Sequence, residues 1–136
     1  MSHSILIVDD EANQRLMLEQ ALRTLAADWT IITAASGQEA LDALARRPLD
    51  LIITDYHMPA MNGLELIARV RDRHLPARII LITAYSSPEL YAAVQRLGID
   101  HYLTKPVSLA QLRSLAAAVL AASSTSDTEH PSNLPL

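Results

Sequence analysis

Five short apolar runs alternate with segments of helical spacing, and this alternation restricts the possible folds more than any other feature. The runs occupy residues 5–8, 30–33, 51–54, 79–83 and 102–104. Most are continuous and rich in Ile, Leu, Val and Thr, as in parallel strands that are covered on both faces. The repeat predicts a doubly wound α/β fold, a five-stranded parallel sheet with helices on both sides and right-handed crossovers.

Helix start and stop signals lie between the runs, where that fold requires them. They are the capping pairs Ser36 with Glu39, Asn62 with Glu65 and Ser108 with Gln111, the cap and first-turn proline Ser87-Pro88, and the stop signal Gly98. If the strand order is 2-1-3-4-5, the first and third strands are neighbours. Their carboxyl ends then meet at the point where strand order reverses, which is where chemistry gathers in such sheets.

The composition indicates one domain. The chain has 136 residues, of which 50% are hydrophobic, and its formal net charge is −4. No apolar run approaches the roughly 18 residues that span a membrane, and without cysteine there are no disulfides or thiolate metal sites. Because no Lys/Arg cluster is present, direct nucleic-acid binding by this chain is not expected. We expect a cytoplasmic domain over residues 1–121 and a disordered polar tail over residues 122–136.

Three carboxylates fall at strand ends. Asp9 and Asp10 follow the first run, and Asp55 follows the third. Two unit charges about 4 Å apart repel by roughly 4 kcal/mol at an effective dielectric constant of about 20. A cluster of three such carboxylates must therefore share protons or hold a cation. Because the available ligands are all oxygens, Mg²⁺ is the favoured ion. Strand-end acids can also simply cap helices or remain hydrated, which is the interpretation we prefer for Glu11.

Two further residues end on the same rim. Thr83 closes the fourth run, and Lys105, the only lysine of the chain, follows the fifth. A hydroxyl and an ammonium group that face carboxylates and a magnesium ion would match a phosphoryl group, with one carboxylate as nucleophile.

Taken together, these motifs resemble the receiver domain of two-component response regulators. The matching segments are VDDE (8–11), TDYHMPAMNG (54–63), TA (83–84) and KP (105–106), and the resemblance covers roughly residues 4–121. It implies a flavodoxin-like, chemotaxis-regulator-like fold. It also implies that Asp55 accepts a phosphoryl group from a phosphohistidine on a sensor histidine kinase or phosphotransfer protein. The chain would then be a signalling phosphoacceptor with self-catalysed transfer and autodephosphorylation, and not an enzyme.

The resemblance also implies the ligands of the ion. Asp10 and Asp55 would bind Mg²⁺ directly, together with the backbone carbonyl of His57, and Asp9 would act largely through water. His57 is not expected to use its ring as a ligand.

The remaining roles concern the phosphoryl group and the switch. Lys105 would pair with the phosphoryl oxygens, Thr83 would move to bond one of them, and Tyr102 holds the place of the aromatic switch residue. We also expect a cis peptide bond between Lys105 and Pro106, because an X-Pro bond adopts the cis form at modest cost.

The last predicted helix, residues 108–122, is apolar around most of its circumference. Since a helix that covers a sheet needs only one apolar stripe, the surplus predicts a contact surface formed with the fourth helix and fifth strand. That surface could support a homodimer or a partner. The residues expected to form it are Leu112, Leu115, Ala116 and Val119.

Two other functions remain open. A phosphatase of the haloacid-dehalogenase type also uses an aspartyl nucleophile and Mg²⁺, but it would carry D-x-D-x-[TV] where this chain has DDEAN. A receiver-like module that only binds partners and is never phosphorylated usually lacks the acids or the lysine, and all of them are present here. The kinase, the output and any further domain cannot be read from the sequence.

Overall fold

The computed structural model describes residues 3–129, with side chains described to residue 122. Within residues 3–129, five strands alternate with five helices. In chain order they are β1 (Ser4–Val8), α1 (Ala12–Arg23), β2 (Thr30–Ala34), α2 (Gly37–Arg46), β3 (Leu51–Asp55), α3 (Gly63–Asp72), β4 (Arg78–Thr83), α4 (Pro88–Leu97), β5 (His101–Thr104) and α5 (Leu109–Glu129). All five predicted runs are therefore strands.

The strands form one parallel sheet in the order β2-β1-β3-β4-β5, which confirms the predicted topology. Chain order reverses between β1 and β3, where Val8 lies beside Thr54 in the register of the two strands. The residue after each of these partners, Asp9 and Asp55, is therefore carried to the same edge of the sheet. The fold itself brings the two acids together.

Side chains of one strand point alternately to the two faces of the sheet, so each strand supplies two separate cores. In β1, Leu6 and Val8 enter the core on the α2, α3 and α4 side, whereas Ile5 and Ile7 enter the core on the α1 and α5 side. All four side chains are fully buried. Burial on both faces explains why the strands are continuous apolar runs.

The predicted helix caps are present. The side chains of Ser36, Ser87 and Ser108 each accept a backbone N–H three residues on. Asn62 and Glu65 form a reciprocal capping box, with hydrogen bonds of 2.9 and 2.8 Å. Gly98 ends α4 in the left-handed region, at φ 66°.

The prediction that Leu112, Ala116 and Val119 form a contact surface on α5 is wrong. Leu112 and Ala116 are fully buried and Val119 is 5% exposed, and all three belong to the core on the α1 and α5 side. Leu115 is half-buried against the same core. Because apolar residues surround this helix, its sequence does not show which stripe faces the sheet. The outward face combines alanines, such as Ala110, Ala117 and Ala118, with the polar residues Gln111 and Ser114.

Helix α5 also extends past the predicted domain boundary. It continues to Glu129, since no proline or glycine interrupts residues 109–129. The domain boundary at residue 121 stays a prediction. Residues 122–129 of the predicted tail are helical, and residues 130–136 lie outside the described residues. Within residues 3–129, no helix combines the length and apolar character needed to cross a membrane.

Arg71 joins two parts of the fold in a way that the sequence did not indicate. From α3, its guanidinium donates to the carbonyls of Leu75 and Ala77 at 3.2 and 2.9 Å. It also donates to the carbonyls of Leu97 and Gly98, both at 2.9 Å. One side chain thus ties the C-terminal end of α4 to the α3–β4 connection.

Candidate functional site

The three predicted acids meet at the carboxyl edge of the sheet. Carboxylate oxygens of Asp9, Asp10 and Asp55 lie within 4.8 Å of one another. Asp9 and Asp55 are 2% and 3% exposed, whereas Asp10 is exposed. Two buried carboxylates and one at the surface form a pocket that opens to solvent on the Asp10 side.

Lys105 supplies the countercharge. Its Nζ lies 2.8 Å from Oδ1 of Asp55, and its backbone N–H donates to the Thr83 carbonyl at 2.8 Å. The Lys105-Pro106 peptide bond is cis, as predicted. Burial alone would lower the pKa of Lys105, but the hydrogen bond and charge of Asp55, with the charge of Asp9, outweigh it and raise the pKa. The ammonium group therefore stays charged beside Asp55.

Asp9 is held on one side only. Its Oδ1 accepts the Glu11 N–H at 2.9 Å, while its buried Oδ2 has no hydrogen-bond partner among the described residues. Burial raises the pKa of Asp9 from 3.8 to about 6, against the Glu11 hydrogen bond and with help from the charge of Asp55. A buried carboxylate oxygen without a donor is what a cation or its bound water would satisfy.

The donor set fits a hard divalent cation. The acidic side chains that converge on the pocket offer carboxylate oxygens, and three acids face one ammonium group, so the pocket has an excess of negative charge. Mg²⁺ prefers such oxygen ligands and retains several waters, for which the exposed Asp10 side leaves room. Asp9, Asp10 and Asp55 are the side chains that could hold the ion.

The loop after Asp55 is shaped by Gly63. A Cβ at this position would lie 2.4 Å from the Asp55 carbonyl oxygen and 3.0 Å from Cα of Tyr56. The Gly63 N–H donates to the Tyr56 carbonyl at 2.8 Å, which closes the loop. Within it, Ala60 has a φ of 69°, a left-handed conformation that an L-residue adopts only at a cost. The chain is folded back tightly against the strand that carries Asp55.

Thr83 and Tyr102 are not joined to Asp55 in this structure. The buried Thr83 hydroxyl donates to the Tyr85 carbonyl at 3.0 Å and lies 3.3 Å from the Tyr85 N–H. Tyr102 is half-buried and packs against the core on the α2, α3 and α4 side. The exposed His57 ring makes an edge contact with the ring of Tyr56, with centroids 5.1 Å apart.

A cavity of about 160 Å³ lies beside Thr83, and sequence reasoning missed it. It is lined by Tyr56, Leu64, Thr83, Tyr85, Ser87, Glu89 and Leu90. The cavity therefore separates the N-terminal end of α4 from α3, at the end of α4 opposite Arg71. Arg15, which contacts Asp9, was also missed, because no pattern in the sequence pairs an arginine with a backbone carbonyl.

Comparison with known proteins agrees with this geometry. The family model of the response regulator receiver domain matches residues 5–117. The chain belongs to this family. Among curated relatives, the receiver domain is 39% identical to the response regulator protein PilR of Pseudomonas aeruginosa over 115 residues, which are 85% of this chain and 25% of the relative. It is 33% identical to the DNA-binding transcriptional regulator NtrC of Klebsiella pneumoniae, covering 96% of this chain and 27% of the relative.

The solved structures that resemble the receiver domain share its whole fold. The chemotaxis protein CheY4 of Vibrio cholerae aligns with a TM-score of 0.79 at 30% identity, covering 88% of this chain and 99% of that one. The receiver domain of an HD domain-containing protein of Pseudomonas fluorescens aligns with a TM-score of 0.83 at 29% identity, covering 92% and 99%. The chain thus spans about a quarter of the curated relatives, but nearly all of these structures.

Proposed function

We propose that this receiver domain is a phosphoacceptor, and that Asp55 takes a phosphoryl group from a phosphohistidine on a sensor histidine kinase or phosphotransfer protein. One observation carries the proposal. The buried Asp55 carboxylate lies 2.8 Å from Lys105 and shares an oxygen-lined pocket with Asp9 and Asp10. A nucleophile, a countercharge and a cation site therefore coincide at the carboxyl end of one central strand.

The chemistry assigned to Asp55 is a single displacement. An Asp55 carboxylate oxygen forms a bond to phosphorus while the bond from phosphorus to the donor imidazole nitrogen breaks. The electron pair of the broken bond stays on that nitrogen, and a proton on the other ring nitrogen makes the leaving group a neutral imidazole. The rigid strand β3 and the Gly63 loop keep the carboxylate in place, which lowers the entropy cost of reaching the transition state. Bound Mg²⁺ would neutralise charge on the transferring oxygens.

Lys105 and Thr83 act on the phosphoryl oxygens. The Lys105 ammonium already faces Asp55, so it can stabilise charge on the phosphoryl group without rearrangement. The Thr83 hydroxyl must leave the Tyr85 carbonyl before it can donate to the new phosphoryl group, which gives the β4–α4 connection two arrangements. Tyr102 would respond to the space that Thr83 vacates, and so transmit the state of Asp55 to the surface of α4, β5 and α5.

The test is phosphorylation by a small donor. Incubation of the full chain with Mg²⁺ and acetyl phosphate should add one phosphoryl group that hydroxylamine removes, as expected for an acyl phosphate. Asp55→Asn should abolish the labelling seen by intact-mass measurement. Asp50→Asn is the matched control, because Asp50 is an exposed acid that immediately precedes the opposite end of β3. We expect it to be labelled like the wild type.

Two results would contradict the proposal. Full labelling of Asp55→Asn would mean that another residue is the acceptor. A folded wild-type chain that binds Mg²⁺ but takes up no phosphoryl group from acetyl phosphate or from a phosphohistidine donor would favour the alternative, a module that binds partners without phosphorylation.

A further inference from the structure

Arg15 contacts the acidic pocket from an unexpected place. It lies in the first turns of α1 and is half-buried, and one of its guanidinium nitrogens donates to the Asp9 backbone carbonyl at 2.7 Å. A hydrogen bond from a charged donor is shorter and stronger than one between neutral groups. The contact is therefore a firm one.

The helix dipole disfavours an arginine at this place. A positive charge near the N-terminus of a helix is opposed by the helix dipole, which costs stability. No acidic side chain in the first turn of α1 offsets that cost. The hydrogen bond to the Asp9 carbonyl is the contact that occupies the charged group of Arg15.

The bond acts on both adjacent acids. The Asp9 carbonyl belongs to the rigid peptide unit that links Asp9 to Asp10, so fixing its oxygen fixes the plane from which both residues project. The Asp9 N–H is already bonded to the Ala34 carbonyl at 3.1 Å. Arg15 thus completes the restraint of the β1–α1 turn, which carries two of the three pocket carboxylates.

We propose that Arg15 is a positioning residue of the cation pocket, which holds the Asp9–Asp10 peptide in the orientation that lets the carboxylates share one Mg²⁺. The inference rests on the proposed function, since the Mg²⁺ site is part of it. Removal of Arg15 can change the affinity for the cation in two opposite directions. Removal of a nearby positive charge should by itself tighten cation binding, whereas loss of positioning should weaken it.

Calorimetric titration of the full chain with Mg²⁺ separates these effects. We expect Arg15→Gln to weaken Mg²⁺ affinity about tenfold, because partners that orient metal ligands typically contribute that much or more. Arg15→Lys keeps the charge and a donor, so it should recover part of the affinity. Arg23→Gln removes the same charge from the last turn of α1, where Arg23 pairs with Glu19 at the surface, and should bind like the wild type.

Urea unfolding without Mg²⁺ separates positioning from a purely structural role. Without Mg²⁺, Arg15→Gln should unfold at a somewhat lower urea concentration than the wild type, because one hydrogen bond is lost. A positioning role predicts that this difference widens when Mg²⁺ is added, whereas a purely structural role predicts that it stays constant. Should Arg15→Gln not fold, Arg15→Met, which keeps the aliphatic stem without a donor, is held to the same expectation.

Each outcome decides the matter. Unchanged or tighter Mg²⁺ binding by Arg15→Gln, in a chain whose wild type is phosphorylated on Asp55, would overturn this inference alone. A wild type that binds Mg²⁺ but is not phosphorylated would overturn the proposed function, while the affinity of Arg15→Gln would still decide the role of Arg15. A wild type that binds no Mg²⁺ would overturn both.

Discussion

At the scale of single residues, Asp9 carries a cost of burial that a cation would relieve. Its pKa is raised from 3.8 to about 6, first by burial and then by the charge of Asp55. An acid whose pKa rises on folding binds more protons in the folded state, so its contribution to stability falls as pH increases from 3.8 to 6 and stays lost above that. Without a bound cation, the ionised Asp9 therefore lowers the stability of the fold at neutral pH.

Asp9→Asn should remove this loss of stability, because the asparagine side chain carries no charge. Without Mg²⁺ and above pH 6, the substitution should raise the free energy of unfolding by about 1–3 kcal/mol, and the gain should disappear below about pH 4. Urea unfolding in a chelator, repeated across this pH range, measures it. Asp28→Asn, an exposed acid on the α1–β2 connection, is the control and should change little. A destabilised Asp9→Asn at neutral pH would contradict the prediction.

Gly63 offers a second test at this scale. A methyl group there would meet the Asp55 carbonyl oxygen at 2.4 Å, so Gly63→Ala must displace the loop that follows Asp55. We expect a loss of about 1–3 kcal/mol in unfolding free energy and slower labelling of Asp55 by acetyl phosphate. Gly98→Ala provides the contrast, since a Cβ at Gly98 has no neighbour nearer than 3.9 Å.

Gly98→Ala should cost stability alone. Its φ of 66° disfavours alanine by about 1 kcal/mol, but the residue lies at the far end of α4 from Thr83. Labelling of Asp55 should therefore keep its wild-type rate. Equal labelling rates for the two glycine variants would show that the Gly63 contact does not position Asp55.

At the scale of elements, the helix boundaries were easier to predict than the helix faces. Capping residues such as Ser87 and Asn62 bond to a backbone N–H only three residues away, so a short stretch of sequence is enough to predict their effect. The buried stripe of α5 is set by contacts with distant strands, and alanine and leucine on every side of the helix conceal it. This is why Leu112 and Val119 were assigned to the surface and are found in the core.

The contact surface predicted for α4, β5 and α5 now centres on α4. Tyr91 of α4 is 58% exposed, whereas the outward face of α5 offers only alanines and the polar residues Gln111 and Ser114 among its described side chains. We expect a beryllofluoride mimic of phosphorylation to strengthen self-association by about 5- to 150-fold, the usual range of such coupling. Tyr91→Glu should remove the gain in sedimentation experiments.

The matched control lies on α1, on the side of the sheet opposite α4. Leu16 of α1 is 51% exposed, so Leu16→Glu makes a comparable change away from α4 and should associate like the wild type. Identical monomeric profiles with and without beryllofluoride would exclude self-association and leave a partner protein as the occupant of this surface.

At the scale of the whole molecule, the topology and the pocket acids could be predicted because they depend on strand ends alone. Asp9, Asp10 and Asp55 follow strands directly, so knowing the strand order was enough to bring them together. The hydroxyl bond of Thr83 to Tyr85 and the reach of Arg15 depend on rotamers, which the sequence does not display. The roles of these residues in phosphoryl transfer stay predictions.

The domain boundary can be tested by truncation. The last buried core residues of the described side chains are Val119 and Leu120, at 5% and 1% exposed. A chain that ends at residue 122 should match the full chain in unfolding free energy within about 0.5 kcal/mol, and in labelling of Asp55. A chain that ends at residue 118 loses both side chains and should be destabilised by at least about 2 kcal/mol. A large loss of stability in the chain that ends at residue 122 would place the boundary further along α5.

The four hydrogen bonds of Arg71 to backbone carbonyls affect how the sequence of this chain can vary over evolutionary time. All four acceptors of its guanidinium are backbone carbonyls, which every amino acid carries. The residues at positions 75, 77 and 97 can therefore drift without loss of these hydrogen bonds, whereas Arg71 itself has no such freedom. A link of this kind leaves no pair of co-varying positions in a family of sequences. The connection between α3 and the end of α4 would be inherited through a single arginine.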